Sequence, residues 1–377
     1  MKQLFNFFLI LMYVQSFGQK KVYENFEIGE QNSQKTEILK LISDYYNKVN
    51  AAQIFTQYDQ LNYKSIDLAS FSTGFDGGLL DIVYKINVLS INKIGSNYMA
   101  KNLLYWEDEQ SKNITVLAIQ DLHIINDNGK WKISNFLNHQ IKDWHSIEIG
   151  KIKYFYNQSH SFNEINAIEA NNFLDKLLKK FKINSDVTLK YFIAENCNDV
   201  KKLNGFEYLI GESQTNLCAF YDNENDIVYT STAFGEKHLH ELIHVLNKFF
   251  PQANDILKIG LSSYINDASS KNLPITFHFK NLNNYLLTSK LDFENFENLT
   301  NLDQFTTISY VTGYLICNAI YRKGGIELLI DYLNKIKTTE ELKVRLKKDF
   351  KFNNFESFFM NELQIFKAQK KSLLYIE

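Results

Sequence analysis

The sequence predicts an α+β chain of two domains: an N-terminal helix with an antiparallel sheet, then a mixed half followed by a mostly helical half. Three observations carry this expectation. At 377 residues the chain is long for a single domain. Apolar spacing changes from helical to alternating near Leu80 and ends in a hairpin signal at Asn126-Asp127-Asn128-Gly129. Beyond Phe250-Pro251 the helical period returns and persists to the C-terminus.

Residues 1–18 read as an export signal. Lys2 supplies the positive region, Phe7 to Val14 the apolar core, and Ser16-Phe17-Gly18 a small-residue cleavage site before Gln19. The stretch is too short and wrongly flanked for a membrane span, and no later run approaches that length. The expected location is therefore secreted, periplasmic or extracellular, with no integral membrane segment after cleavage. Removing Lys2, the sole charged residue of the signal, takes the formal charge from −2 to −3. So balanced a charge, with Lys spread along the chain, argues against a nucleic-acid partner or a basic membrane-binding face.

The first domain is expected over residues 19–148. Ile38, Leu41, Ile42, Tyr45, Tyr46 and Val49 recur at helical spacing. Strands are read at Leu80 to Tyr84, Tyr98 to Trp106, Ile114 to Ile119, Leu122 to Ile125 and Trp131 to Phe136. The ending Asn128-Gly129-Lys130-Trp131-Lys132-Ile133 resembles the last hairpin of the cone-shaped domains of the nuclear transport factor superfamily. That resemblance implies an accessory or binding module. No catalytic constellation stands out, and His123 and His139 read as structural.

The second domain is expected over residues 149–377, after a crossing near Ile147 to Ser161. Glu164 to Phe181 has one apolar side, formed by Ile165, Ile168, Phe173, Leu174, Leu177, Leu178 and Phe181, and reads as an amphipathic helix. Strands follow at Val187 to Ala194, Leu217 to Tyr221 and Ile227 to Thr230. Helices are read at Leu257 to Asn266, Ile308 to Arg322, Ile326 to Ile336, Thr339 to Phe350 and Phe355 to Lys371. Cys197, Cys218 and Cys317 are odd in number and widely spaced; one pair can bridge, but they read mainly as small buried hydrophobes.

Between the strands and the helices stands His240-Glu241-Leu242-Ile243-His244, a His-Glu-x-x-His motif in a chain with 8 His. One helical turn brings His240 and His244 to one face, so both imidazoles can reach one ion. The metal expected is Zn2+, and Glu241 is placed to take a proton from water that the metal activates. Leu239, Leu242, Ile243, Val245, Leu246 and Phe249 make the helix apolar on most sides, so the two imidazoles and the carboxylate need partners. His238, two residues before His240, is expected on another side of the helix in a structural role.

These residues resemble the gluzincin branch of zinc peptidases, in which a later helix of the form Glu-Gly-x-Ala-x-Tyr supplies the third ligand. The corresponding stretch here is Leu257-Lys258-Ile259-Gly260-Leu261-Ser262-Ser263-Tyr264. Gly260, Ser262 and Tyr264 match, whereas the ligand position is Ile259, which cannot bind a cation. Tyr310-Val311-Thr312-Gly313-Tyr314-Leu315 and Tyr321-Arg322-Lys323-Gly324-Gly325 resemble the family's downstream helix and its glycine-marked end. The resemblance covers more than half of the chain and implies a zincin-like domain. Its metal ligands would be His240 and His244, its general base Glu241 and its substrate a peptide or protein.

Three completions of the metal site stay open. Asp255 or Asp267 can supply a third ligand, water can fill the place in a weaker two-His site, or the chemistry has been lost. Tyr310 is a candidate donor to a developing oxyanion or a packed aromatic. The function expected is a secreted zinc metallopeptidase-like protein. The alternative is a catalytically degenerate zincin that acts as an envelope or extracellular binding protein.

Overall fold

The computed structural model describes residues 22–25, 33–47, 84–108, 110–210, 217–223, 225–269, 273–299, 301–303 and 305–376. The export signal, Val49 and Leu80 to Val83 lie outside the described residues. The fold is α+β. Its contacts divide it into two compact units, residues 1–143 with 198–214, and residues 144–197 with 215–377.

The first unit has strands β1 (Val22–Glu24), β2 (Lys85–Ile94), β3 (Asn97–Glu107), β4 (Ile114–Asp127) and β5 (Lys130–Ser134), and helix α1 (Ser33–Tyr46). Their order is β1-β2-β3-β4-β5, antiparallel except for the parallel pair β1–β2. Alternation along β3 and β4 turns Ala100, Leu104, Ala118, Leu122 and Ile124 to one face, where Ile38, Leu41, Ile42, Tyr45 and Tyr46 of α1 cover them. Asn102 and Gln120, opposite each other on β3 and β4, are buried polar residues in that core, and Asn102 Nδ2 donates to the Gln120 carbonyl at 3.3 Å; the Gln120 side chain is bonded as well. Tyr46 donates to its Oε1 at 2.8 Å, and its Nε2 donates to Tyr45 at 3.2 Å.

Two expectations for this unit are corrected. Ile114 to Ile119 and Leu122 to Ile125 form one continuous strand, because Gln120-Asp121 keeps the period of two. Lys85–Ile94, not read from the sequence as a strand, pairs along its whole length with β3. The hairpin at Asn128-Gly129 forms as expected, with φ of +54° and +84° at the two turn residues.

The second unit has a five-stranded sheet ordered β10-β11-β8-β7-β6. Its strands are β6 (His145–Ile149), β7 (Ile152–Tyr156), β8 (Leu189–Ala194), β10 (Ala219–Asp222) and β11 (Ile227–Ser231). The β6–β7 hairpin occupies what the sequence suggested was a crossing, so the unit begins at Trp144. Strands β7, β8 and β11 run parallel, and β10 closes the edge antiparallel to β11.

Helix α3 (Glu164–Lys180) packs on the sheet through Phe173, Leu174, Leu177 and Leu178. Asn163 caps its start. Short helix α2 (Phe136–Gln140) belongs to the first unit.

Between β8 and β10 the chain leaves this unit for residues 198–214. That excursion carries α4 (Cys197–Leu203) and β9 (Phe206–Leu209), which pairs with β4 of the first sheet. A Cys197–Cys218 disulfide closes its two ends, with Cα atoms 5.6 Å apart. The one bridge that the sequence left open thus forms between Cys197 and Cys218, which corrects the reading of these two as simple buried hydrophobes, while Cys317 is free and buried as read.

The helical half comprises α6 (Asp255–Asn266), α7 (Ile275–Leu286), α8 (Ile308–Lys335), α9 (Thr339–Phe350) and α10 (Phe355–Gln369). Of these, α7 was not anticipated. Helix α8 breaks at Gly324-Gly325, where Gly325 takes φ +62° and ψ −157°. Thr338 and Glu341 form a reciprocal capping box at the start of α9. No helix among the described residues is long and apolar enough to cross a membrane.

Candidate metal centre

The His-Glu-x-x-His segment forms α5 (Leu239–Ile243) and then tightens into a 3-10 turn, His244–Lys248. Leu242, Ile243, Val245 and Leu246 are fully buried in the core of the second unit, which fixes the face that the polar residues must share. One ligand atom from each of His240, Glu241 and His244 lies within 4.8 Å of the others. Their rings confirm the one-turn geometry: the His240 and His244 centroids are 4.9 Å apart, nearly perpendicular. Among the described residues no other group of His, Cys, Asp and Glu is drawn together in this way.

Electrostatics follow from burial. Desolvation pushes the Glu241 carboxyl up to about 8, and the backbone N–H of Tyr221 on edge strand β10 pulls in the other direction. Desolvation lowers His244 to about 4, with the positive charge of Lys258 contributing. His240 is driven well below its ordinary value by desolvation and then by His244 and His238. Near neutral pH and without a cation, the trio is therefore a neutral acid between two neutral imidazoles. Neutral imidazole is the form that ligates metal.

The donor set fits a divalent cation. His240 Nδ1 is buried without a hydrogen-bond partner. On His244 the Asn247 side-chain amide sits 3.2 Å from Nδ1, so Nε2 is the nitrogen left for a ligand. Such an amide contact is the kind that orients a ligating ring. A cation between the rings would satisfy the orphaned nitrogen and restore the Glu241 carboxylate to its charged form.

The two carboxylates offered as third ligands do not join the cluster. Asp255 is exposed and pairs with Lys258 at 2.7 Å. Asp267 is consumed elsewhere: its oxygens accept the Ser372 backbone N–H at 2.9 and 3.0 Å and the Tyr314 hydroxyl at 2.7 Å. This clamps the C-terminal segment to the end of α6. Tyr310 does lie at the site, its ring edge-on to His240 with centroids 5.9 Å apart.

His238 needs correction. It precedes the first helical residue, so helical spacing does not govern it. It is fully buried, stacks on Phe234 with centroids 3.9 Å apart, and brings Nδ1 to 4.0 Å from Glu241 Oε1. Its backbone N–H donates to the Tyr191 hydroxyl, which in turn donates to the Gly235 carbonyl. Glu236, also unnoticed in the sequence, is buried beside it in chain order. Glu236 accepts from the Asn163 N–H at 2.8 Å and meets His160 Nε2 at 2.8 Å. These contacts tie the turn ahead of the motif to the start of α3. No sequence signal marks them, since both are single polar residues in a turn.

No protein-family model and no curated protein matches the chain.

Proposed function

We propose that the chain is a secreted zinc metallopeptidase-like protein of gluzincin type, with His240 and His244 as zinc ligands and Glu241 as general base. The observation that carries this reading is the trio itself, with His240 and Glu241 buried and His244 half-buried, whose donor atoms converge within 4.8 Å. His240 Nδ1 is buried without a partner, and leaving such a polar group unsatisfied costs about 1–3 kcal/mol that a ligand would remove. Zinc, when bound, supplies Lewis acidity and lowers the pKa of water.

The chain's own residues have the following parts. Glu241 takes a proton at its carboxylate and later returns it, and the Tyr221 N–H donates to that carboxylate and orients it. Tyr310 offers its hydroxyl to charge that develops on a substrate carbonyl. Strand β10 lies at the edge of the sheet, where an extended peptide could add by main-chain pairing. The test is cleavage of an unfolded protein substrate by the zinc-loaded mature chain, beside Glu241→Gln. Zinc-dependent cleavage that the variant lacks supports the reading, and equal activity in both refutes it.

A second reading rests on Ile259. With no carboxylate from that position, a degenerate zincin that binds peptides or an envelope partner without cleaving them is the alternative. Zinc binding with no hydrolysis across varied peptide substrates would favour it.

A further inference from the structure

On the general-base reading of Glu241, we propose that Asp226 is a positioning residue for that base: its carboxylate holds Tyr221 on β10, and the Tyr221 backbone N–H orients Glu241. The argument starts from the ladder between β10 and β11. Their register pairs Tyr221 with Val228, and the Ser231 N–H donates to the Cys218 carbonyl at 3.1 Å. Residues opposite each other in an antiparallel pair alternate between exchanging hydrogen bonds and exchanging none. With Cys218 and Ser231 bonded, the alternation bonds Phe220 and Asp222 to β11 and turns the main chain of Ala219 and Tyr221 outward. Strand β10 lies against α5, and the outward N–H of Tyr221 meets the Glu241 carboxylate there.

The Tyr221 side chain has its own anchor. Its hydroxyl donates to Asp226 Oδ1 at 2.8 Å, and Asp226 Oδ2 accepts from Lys248 at 2.5 Å. Lys248 ends the 3-10 turn that begins at His244. One carboxylate thus bonds both β10 and the turn that continues the metal motif. Asp226 is itself fixed: it takes φ +55° ahead of β11, and its carbonyl accepts the Lys190 N–H of β8 at 3.0 Å. Asp and Asn are the residues besides glycine that most readily take that left-handed conformation. Burial and then the Asp226 charge push the Tyr221 hydroxyl above its ordinary value, so it remains a donor at neutral pH.

Stability alone does not account for these contacts. The Asp226 and Lys248 side chains are 26 % and 41 % exposed, and such a pair contributes little. What the contacts do is fix one N–H at the carboxylate that exchanges the proton, where a misplacement of about 1 Å costs rate.

The experiment is amide hydrogen exchange of the mature chain, resolved at Tyr221 by NMR, beside steady-state cleavage of an unfolded protein by the zinc-loaded chain. Tyr221→Phe and Asp226→Gly each remove the hydroxyl–carboxylate bond, and glycine keeps the left-handed turn. Both should speed exchange of this amide by about tenfold or more and leave the Ser231 amide, bonded within the ladder, unchanged. Both should lower kcat by about tenfold with KM and zinc content unchanged, and the double variant should lose no more than either alone. Asp226→Asn keeps an acceptor oxygen and the turn, and should retain most of the protection and the rate. Equal acceleration at both amides would mean that Asp226 merely stabilises the hairpin, and that result overturns the proposal. Exchange indifferent to both variants also overturns it, whatever the zinc content. Exchange as expected in a wild type that cleaves nothing refutes the peptidase reading and leaves the Asp226–Tyr221–Glu241 linkage standing.

Discussion

Gly260 of α6 and Gly313 of α8 meet backbone to backbone. A Cβ placed on Gly260 would fall 2.2 Å from the Gly313 carbonyl carbon, and one on Gly313 would fall 2.6 Å from the Gly260 Cα. This crossing brings the two helices together where no side chain fits between them. It sets α6, with Lys258 and Ile259, and α8, with Tyr310, in one packed pair in the same unit as the motif.

Gly260→Ala should therefore be strongly destabilising, by about 3 kcal/mol or more, because the obstructing atoms are backbone and cannot rotate away. Gly313→Ala should behave alike. Chemical denaturation checks both, and a loss under about 0.5 kcal/mol, the range of an ordinary surface substitution, would mean that the helices are not in contact.

Glu241 makes the metal-free protein sensitive to alkali. Its folded pKa of about 8 lies above the unfolded value, so the folded state holds the extra proton and stability falls as pH rises through that range. Below about pH 6.5 the lowered His240 and His244 act in the opposite sense, since the unfolded state then binds more protons. Because those histidines still titrate in the unfolded state above pH 6.5, the Glu241 contribution is read as a difference: between pH 6.5 and 8 the metal-free wild type should lose about 1.5 kcal/mol relative to Glu241→Gln. Glu241→Gln should flatten that slope. Denaturation of chelator-treated protein at both pH values checks this, and an unchanged slope in the variant would assign it to another group.

The Cys197–Cys218 disulfide closes a loop with a sequence separation of 21. Its removal by Cys197→Ser and Cys218→Ser together should cost about 3 kcal/mol of stability. Thiol labelling gives a direct check. Denatured, unreduced protein should label at Cys317 alone, and the native protein should resist labelling because that thiol is buried.

Ile259→Glu should tighten zinc binding by at least about tenfold by supplying the missing carboxylate. Competition with a zinc chromophore measures the affinity. An unchanged or weakened affinity would place the third ligand position elsewhere on α6.

Much of this arrangement is legible in the sequence because it is local. The helical period locates α3, α9 and both parts of α8, and the motif spacing places His240 and His244 on one turn. Gly260 and Gly313 stand out in the sequence, though nothing local says that they touch each other. What escaped depends on partners distant in the chain. Strand β2 carries Lys, Asn and Ser on its solvent side, and β9 has only four residues, so neither has a strong pattern of its own. Each becomes a strand through pairing with β3 or β4. His238 and Glu236 lie before the helix, where spacing rules stop, and their roles come from Phe234, His160 and Asn163.

The central claim is that the trio His240, Glu241 and His244 holds zinc. The direct measurement is metal content of the mature chain from Gln19, dialysed in acetate buffer against a weak chelator, beside His240→Ala. The account predicts about one zinc per chain in the wild type and its loss in a variant that remains folded. A folded wild type that retains no zinc would contradict it, leaving the binding-protein reading in its place.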